Sequence, residues 1–199
     1  MTTGPTTSTN DAHEGGRPML ELSILGFLYE KPLHGYELKE RIHGLSGHVR
    51  PVSDGALYPA ITRLVKNGLV DSHTEPGASA APRRTLSLTA DGRRELFARL
   101  RAPKDAEITD GQRFFTLLSF LGHLPDPADQ AAVLRRRQEF LNTPASFFYE
   151  DGNPVTAERE PDLFRRGMLR IARATGTAEK AWLTEALAEL DGREPPAGP

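Results

Sequence analysis

The sequence predicts a mainly α protein in two parts, the first closed by a small β-ribbon, on three observations. Between residues 20 and 66, three short segments carry apolar side chains at helical spacing, separated by Pro and Gly. Two short segments at 69–74 and 84–88 flank a tip rich in Gly, Ala, Ser and Pro, and the second alternates apolar with polar residues. From residue 111 onward the apolar pattern is helical again.

Taken in order, residues 1–18, "MTTGPTTSTNDAHEGGRP", hold little that could be buried and read as a disordered tail. They lack the basic and apolar regions of a secretion signal. "LELSILGFLY" is a short, mostly buried helix, and "EKPLHG" stops it and turns the chain. Residues 36–43 form a small amphipathic helix with Leu38 and Ile42 inward, and "GLSGHVRP" is loop.

The third helix follows in "SDGALYPAITRLVKNGLV", where Ser53 or Asp54 can cap it. Steps of about 100° per residue gather Leu57, Ala60, Ile61 and Leu64 on one side. Gly55, Tyr58, Pro59, Thr62 and Lys66 fall opposite, with Arg63 at the margin. Pro59 lies too deep for the open first turn if Ser53 is the cap, so the helix either starts later or bends there. Asn67-Gly68 suits a left-handed end. In the second ribbon strand Leu86 and Leu88 alternate with Thr85, Ser87 and Thr89, and Thr89 can cap a helix carrying Leu96, Phe97 and Leu100.

The expected organisation is therefore a tail at 1–18, a first domain at 19–101, a linker, a helical domain at 111–190 and a flexible end at 191–199. In the second part, "RFFTLLSFLGHL" is apolar over most of its circumference, more than one small domain can cover, which predicts a dimer. Phe114, Phe115, Phe120 and Trp182 are its candidate effector or dimer residues. Residues 128–141 form an amphipathic helix with Arg135, Arg136 and Arg137 as a solvated face. Residues 142–160 read as irregular. Pro161 suits a first helical position, and Thr177 can cap a separate last helix holding Leu183, Leu187 and Leu190.

Composition narrows the function. There is no cysteine, which excludes disulfides, thiolate metal sites and a cysteine nucleophile and fits a cytoplasmic protein. No apolar run is long enough to span a bilayer. The net charge of −2 divides unevenly: residues 17–101 hold 13 Lys and Arg against 9 Asp and Glu, the rest 12 against 18. A basic first half points to a polyanionic partner. No nucleophile elbow, P-loop, dinucleotide fingerprint or zinc-protease motif occurs, and the six histidines lack metal-ligand spacing, so neither an enzyme nor a cofactor is expected.

Three short helices and a two-stranded ribbon are the plan of a winged helix-turn-helix, whose third helix enters the DNA major groove. Such a helix needs an apolar back and a face of small, hydroxylated and basic residues able to reach phosphates and base edges. Tyr58, Thr62, Arg63 and Lys66 meet that demand, and Arg83 and Arg84 at the base of the second strand could add phosphate contacts. The alternative is a winged-helix protein-interaction module that binds no DNA.

Across residues 20–100, "LELSILGFLYEKPLHGYELKERI", "VSDGALYPAITRLVKNGLV" and "RRTLSLTADGRREL" resemble the PadR family of bacterial transcription regulators. The resemblance rests on His34-Gly35-Tyr36-Glu37-Leu38, Leu57-Tyr58-Pro59 with Leu64, Gly68-Leu69, and Leu88-Thr89 with Gly92. Thr85 and Leu86 stand where the family commonly carries tyrosines, and Ser53-Asp54-Gly55 where it often has Ser-Pro-Gly. The resemblance implies a homodimer paired through C-terminal helices. It also implies binding to double-stranded DNA at a palindromic operator, usually as a repressor, and relief by a small apolar or aromatic effector.

Overall fold

The computed structural model describes residues 11–45, 52–75, 83–143 and 147–192. The expected wing tip at 76–82, most of the loop after residue 44, and the two chain ends at 1–10 and 193–199 lie outside the described residues. The chain divides into two compact units, Met1–His123 and Leu124–Pro199.

The first unit is organised around α1 (Asp11–Glu30), whose Leu22, Ile24, Leu25 and Leu28 are buried. Burial on several sides is what a helix with so wide an apolar surface requires. The helix begins at Asp11, inside the segment expected to be a disordered tail. Once residues 19–28 are helical, the helix extends upstream without a new nucleus, although Pro18 offers no N–H to the Glu14 carbonyl.

A two-residue strand, β1 (Leu33–His34), leads into α2 (Gly35–Leu45), which buries Leu38 and Ile42. Next come α3 (Asp54–Lys66), β2 (Val70–Glu75), β3 (Arg83–Leu88) and α4 (Ala90–Arg101). The ribbon is antiparallel, pairing Val70 with Leu88 and Glu75 with Arg83. β1 adds a third strand on the other edge of β3, Leu33 opposite Leu86. Sequence patterning read "EKPLHG" only as a turn, because two residues are too few to show alternation.

The expected linker holds a short helix, α5 (Asp105–Thr109), with Ile108 buried and the Lys104 amide donating to Glu107 Oε2 at 2.8 Å. It is followed by α6 (Gly111–Leu121), which packs on α1, α4 and α5. The compact division falls after α6, not in the linker. Phe114, Leu117 and Phe120 fill the first unit's own core, so α6 is a component of that unit and not of the C-terminal one.

The second unit pairs α7 (Pro127–Asn142) with α8 (Leu163–Asp191). Asp126 caps α7 through the Ala128 amide, and Asp162 caps α8 through those of Phe164 and Arg165. α8 is one unbroken helix of 29 residues, about 44 Å long. Thr177 therefore lies inside it and caps nothing, and Pro161 precedes it. Between α7 and α8 is a hairpin, β4 (Tyr149–Glu150) with β5 (Asn153–Pro154). Its turn residues Asp151 and Gly152 both have positive φ, 49° and 77°, as a two-residue Asp-Gly turn demands.

Leu183, Leu187 and Leu190 of α8 are buried. A second stripe beside them is not: Phe164 is 82% exposed, Ile171 69%, Trp182 41% and Met168 37%. With Thr175 and Ala178, also exposed, these residues recur at alternating steps of four and three. The arginine run in α7 is not a solvated face throughout. Arg135 pairs with Asp191 at 2.6 Å, and Arg137 is buried, its Nε 2.7 Å from Glu179 Oε1 and its Nη2 3.1 Å from Oε2.

Candidate nucleic-acid interface

The third helix has the apolar back its sequence requires: Leu57, Ala60, Ile61 and Leu64 are buried. The helix continues through Pro59, whose ring nitrogen has no hydrogen to donate to the exposed Gly55 carbonyl four residues earlier. The C-terminus closes with a paired motif. Leu69 N–H donates to Leu64 O at 2.9 Å and Gly68 N–H to Val65 O at 3.0 Å, with Gly68 at φ +71°. Helix and ribbon are thereby joined by one fixed turn.

Tyr58, Thr62 and Lys66 face outward, with Tyr58 49% exposed. Thr62 Oγ1 donates back to Tyr58 O at 2.9 Å, so its oxygen lone pairs and its methyl are what it presents. The Tyr58 ring lies beside Gly35 at the start of α2, where a Cβ would meet it at 3.5 Å. Asp54, a carboxylate at the edge of this face, is paired with Lys39 Nζ at 2.8 Å. That hydrogen bond raises the Lys39 pKa above 10.5 and offsets much of the negative charge Asp54 would show to a phosphate.

Arg63 behaves differently. Its Nε and Nη2 donate to Glu21 Oε1 of α1 at 3.1 and 2.9 Å, which turns the guanidinium toward α1 and away from the outward face. On the ribbon, Arg84 is exposed and its Nε is hydrogen-bonded to Ser72 Oγ across the strands. The side chain of Arg83 lies outside the described residues. Tyr36 is 62% exposed and stacks on His34 with centroids 5.8 Å apart.

The four candidate effector or dimer residues separate. Phe114 and Phe120 are fully buried in the first unit, and Phe120 packs edge-on against Phe27 at 5.0 Å. Phe115 is 59% exposed. Trp182 lies on α8 with part of its ring exposed. Among the described residues no cluster of His, Asp and Glu could hold a metal ion, and no helix is long and apolar enough to cross a membrane.

The family model of the transcriptional regulator PadR-like family matches residues 24–98. The match falls on the winged part of this chain. Among solved structures, the chain is similar to Bacillus subtilis PadR in complex with operator DNA, at 19% identity and TM-score 0.42, over 86% of this chain and 98% of that one. The same regulator in complex with p-coumaric acid matches at 20% identity and TM-score 0.39, over 87% and 99%. A transcriptional regulator from Clostridium thermocellum matches at 26% identity and TM-score 0.40, over 43% of this chain and 83% of that one. No curated protein matches.

The PadR-like motifs have physical reasons in this fold. In His34-Gly35-Tyr36-Glu37-Leu38, the His34 amide donates to Glu37 Oε2 at 2.9 Å and closes the start of α2, while Leu38 enters the core. In Leu88-Thr89 with Gly92, Thr89 Oγ1 accepts the Gly92 amide at 2.9 Å and donates to Gly68 O at 2.7 Å. Gly92 itself admits no side chain, since a Cβ would lie within 3.0 Å of the Leu69 carbonyl and of Leu88. These contacts tie the end of α3, the ribbon and the start of α4 together at one point.

Proposed function

We propose that this protein is a homodimeric, cytoplasmic, sequence-specific DNA-binding transcriptional repressor, relieved by a small aromatic effector. The observation that carries the DNA-binding part is α3 itself. A helix with a buried back, fixed at both ends, presents a tyrosine edge, a threonine, a proline and a lysine outward without an exposed carboxylate that is not already paired. That surface is built to enter a major groove, with the β2–β3 ribbon along the backbone.

The dimer reading is supported by α8. Its stripe of Phe164, Met168, Ile171, Thr175, Ala178 and Trp182 has the four-three spacing of a helix that seats against a second copy of itself. A two-fold pair of winged domains would read a palindromic operator with half-sites one helical turn apart, roughly 34 Å. The sign of regulation and the effector rest on the family resemblance. Phe115 and Trp182 remain as exposed aromatic surfaces for such a ligand, and Phe114 and Phe120 do not, being core.

The deciding experiment is selection of fragments of the source genome by the purified protein, followed by a salt series on the recovered DNA. Binding should weaken steeply with salt, and Lys66→Ala should reduce it without loss of fold. Recovery of no fragment, together with salt-insensitive capture of a protein partner, would establish the interaction-module alternative in its place.

A further inference from the structure

Arg63 has the residue type and helix position of a DNA contact, yet its guanidinium is engaged elsewhere. Both Nε and Nη2 converge on Glu21 Oε1, at 3.1 and 2.9 Å. The other oxygen of Glu21 lies 3.5 Å from Arg99 Nη1 of α4, and Arg99 Nε donates to Glu95 Oε1 at 2.7 Å. The Glu21 side chain is only 18% exposed, against 46% for Arg63. A carboxylate held so far out of water depends on its cations. Turning Arg63 toward a phosphate would leave Glu21 with a single long contact, and that loss opposes the gain. The chain Arg63–Glu21–Arg99–Glu95 joins α3, α1 and α4. At the opposite end of α3, Asp54 is tied to Lys39 of α2. The helix is therefore braced near each end by an ion pair to a different neighbour, and Lys66 of its last turn points outward.

We propose that Arg63 is a positioning residue, which locks α3 to α1 and α4 through Glu21 and so sets the angle at which Tyr58, Thr62 and Lys66 meet the duplex. This rests on the DNA-binding reading above. It differs from a direct contact in one measurable respect: a positioning residue makes no phosphate contact, so its loss releases no fewer counterions.

The test compares wild type, Glu21→Gln, Arg63→Ala, their double variant and Lys66→Ala. Each is titrated with a fragment that wild type selects from the source genome and with a mixed-sequence duplex, over a salt series, with circular dichroism and melting recorded. Glu21→Gln and Arg63→Ala should each weaken the selected fragment by about tenfold, the double variant no further, and all with the wild-type salt slope. Lys66→Ala, which does contact the backbone in this reading, should lower the slope by about one. Arg63→Ala that lowers the slope by about one, with Glu21→Gln binding as wild type, would overturn the proposal and make Arg63 a direct contact. If Glu21→Gln does not fold, the slope of Arg63→Ala decides alone, because that side chain is half exposed. Wild type that binds neither DNA defeats the DNA-binding reading, and the positioning role falls with it.

Discussion

Gly26 of α1 lies against the ring of Phe120 so closely that a Cβ there would sit 2.6 Å from two of its ring carbons. No side chain can be accommodated without displacing a phenylalanine that is itself 1% exposed and packed edge-on to Phe27. The pairing is what allows α6 to lie directly on α1, and it places "RFFTLLSFL" in the first unit.

Gly26→Ala is therefore expected to destabilise. Helix propensity alone argues the other way, favouring alanine by about 1 kcal/mol. Overpacking a rigid core costs about 1–3 kcal/mol, and the ring has no flexible end that could give way. The difference, a net loss of up to about 2 kcal/mol, should appear as a melting temperature lower by a few degrees. An unchanged or raised melting temperature would mean that α6 does not pack here.

His123 should make the protein less stable in mild acid. Its Nε2 is buried without a hydrogen-bond partner, 3.9 Å from Glu30 Oε1 and beside the Tyr29 ring. Burial lowers its pKa below the ordinary 6.5, against the raising effects of Glu30 and the Gly26 carbonyl. The unfolded chain then binds a proton at a higher pH than the folded protein does. The stabilisation is complete above about pH 6.5 and is lost as pH falls toward the lowered folded value. Melts at about pH 7.5 and about pH 5.5 should show the loss, and His123→Gln should reduce the difference. Equal pH differences in the two proteins would remove His123 from the account.

The dimer proposed through α8 predicts that Ile171→Glu, on its exposed stripe, gives a monomer in sedimentation at micromolar concentration while circular dichroism is retained. Phe164→Glu should act in the same direction. Leu183→Glu, on the buried face, should instead unfold the second unit, because an isolated carboxylate would enter its core. A dimer that survives both stripe substitutions would place the subunit contact elsewhere.

Arg137 and Glu179 are only 5% and 13% exposed, and each is the other's counter-charge. Arg137→Ala should cost about 3–5 kcal/mol, since it leaves a carboxylate with little water and no cation at that site. Replacing both with leucine should recover most of the loss. If the double replacement is as unstable as the single, the pair matters for its hydrogen bonds and not for its charge balance.

The elements that sequence determined are those whose cause is local. The apolar arc of Leu57, Ala60, Ile61 and Leu64 required a helix with that back. Asn67-Gly68 required a left-handed end, and Thr89 required a cap; each appears in the structure as its own chemistry dictates. The Asp151-Gly152 hairpin was not read and its segment passed as irregular, because flanking strands of two residues show no alternation. Tertiary structure decided whatever depends on distant partners. α6 joined the first unit because Gly26 admits Phe120, 94 positions away in sequence. Arg63, with the residue type and helical phase of a DNA contact, turned to Glu21, which lies 42 positions earlier in another helix. Arg137 left a run that reads as solvated because Glu179 of α8 could neutralise it. Periodicity reports which face of a helix avoids water, since that follows from local geometry and apolar area. It cannot report which charge finds a counter-charge, because folding brings those partners together from segments with no pattern in common.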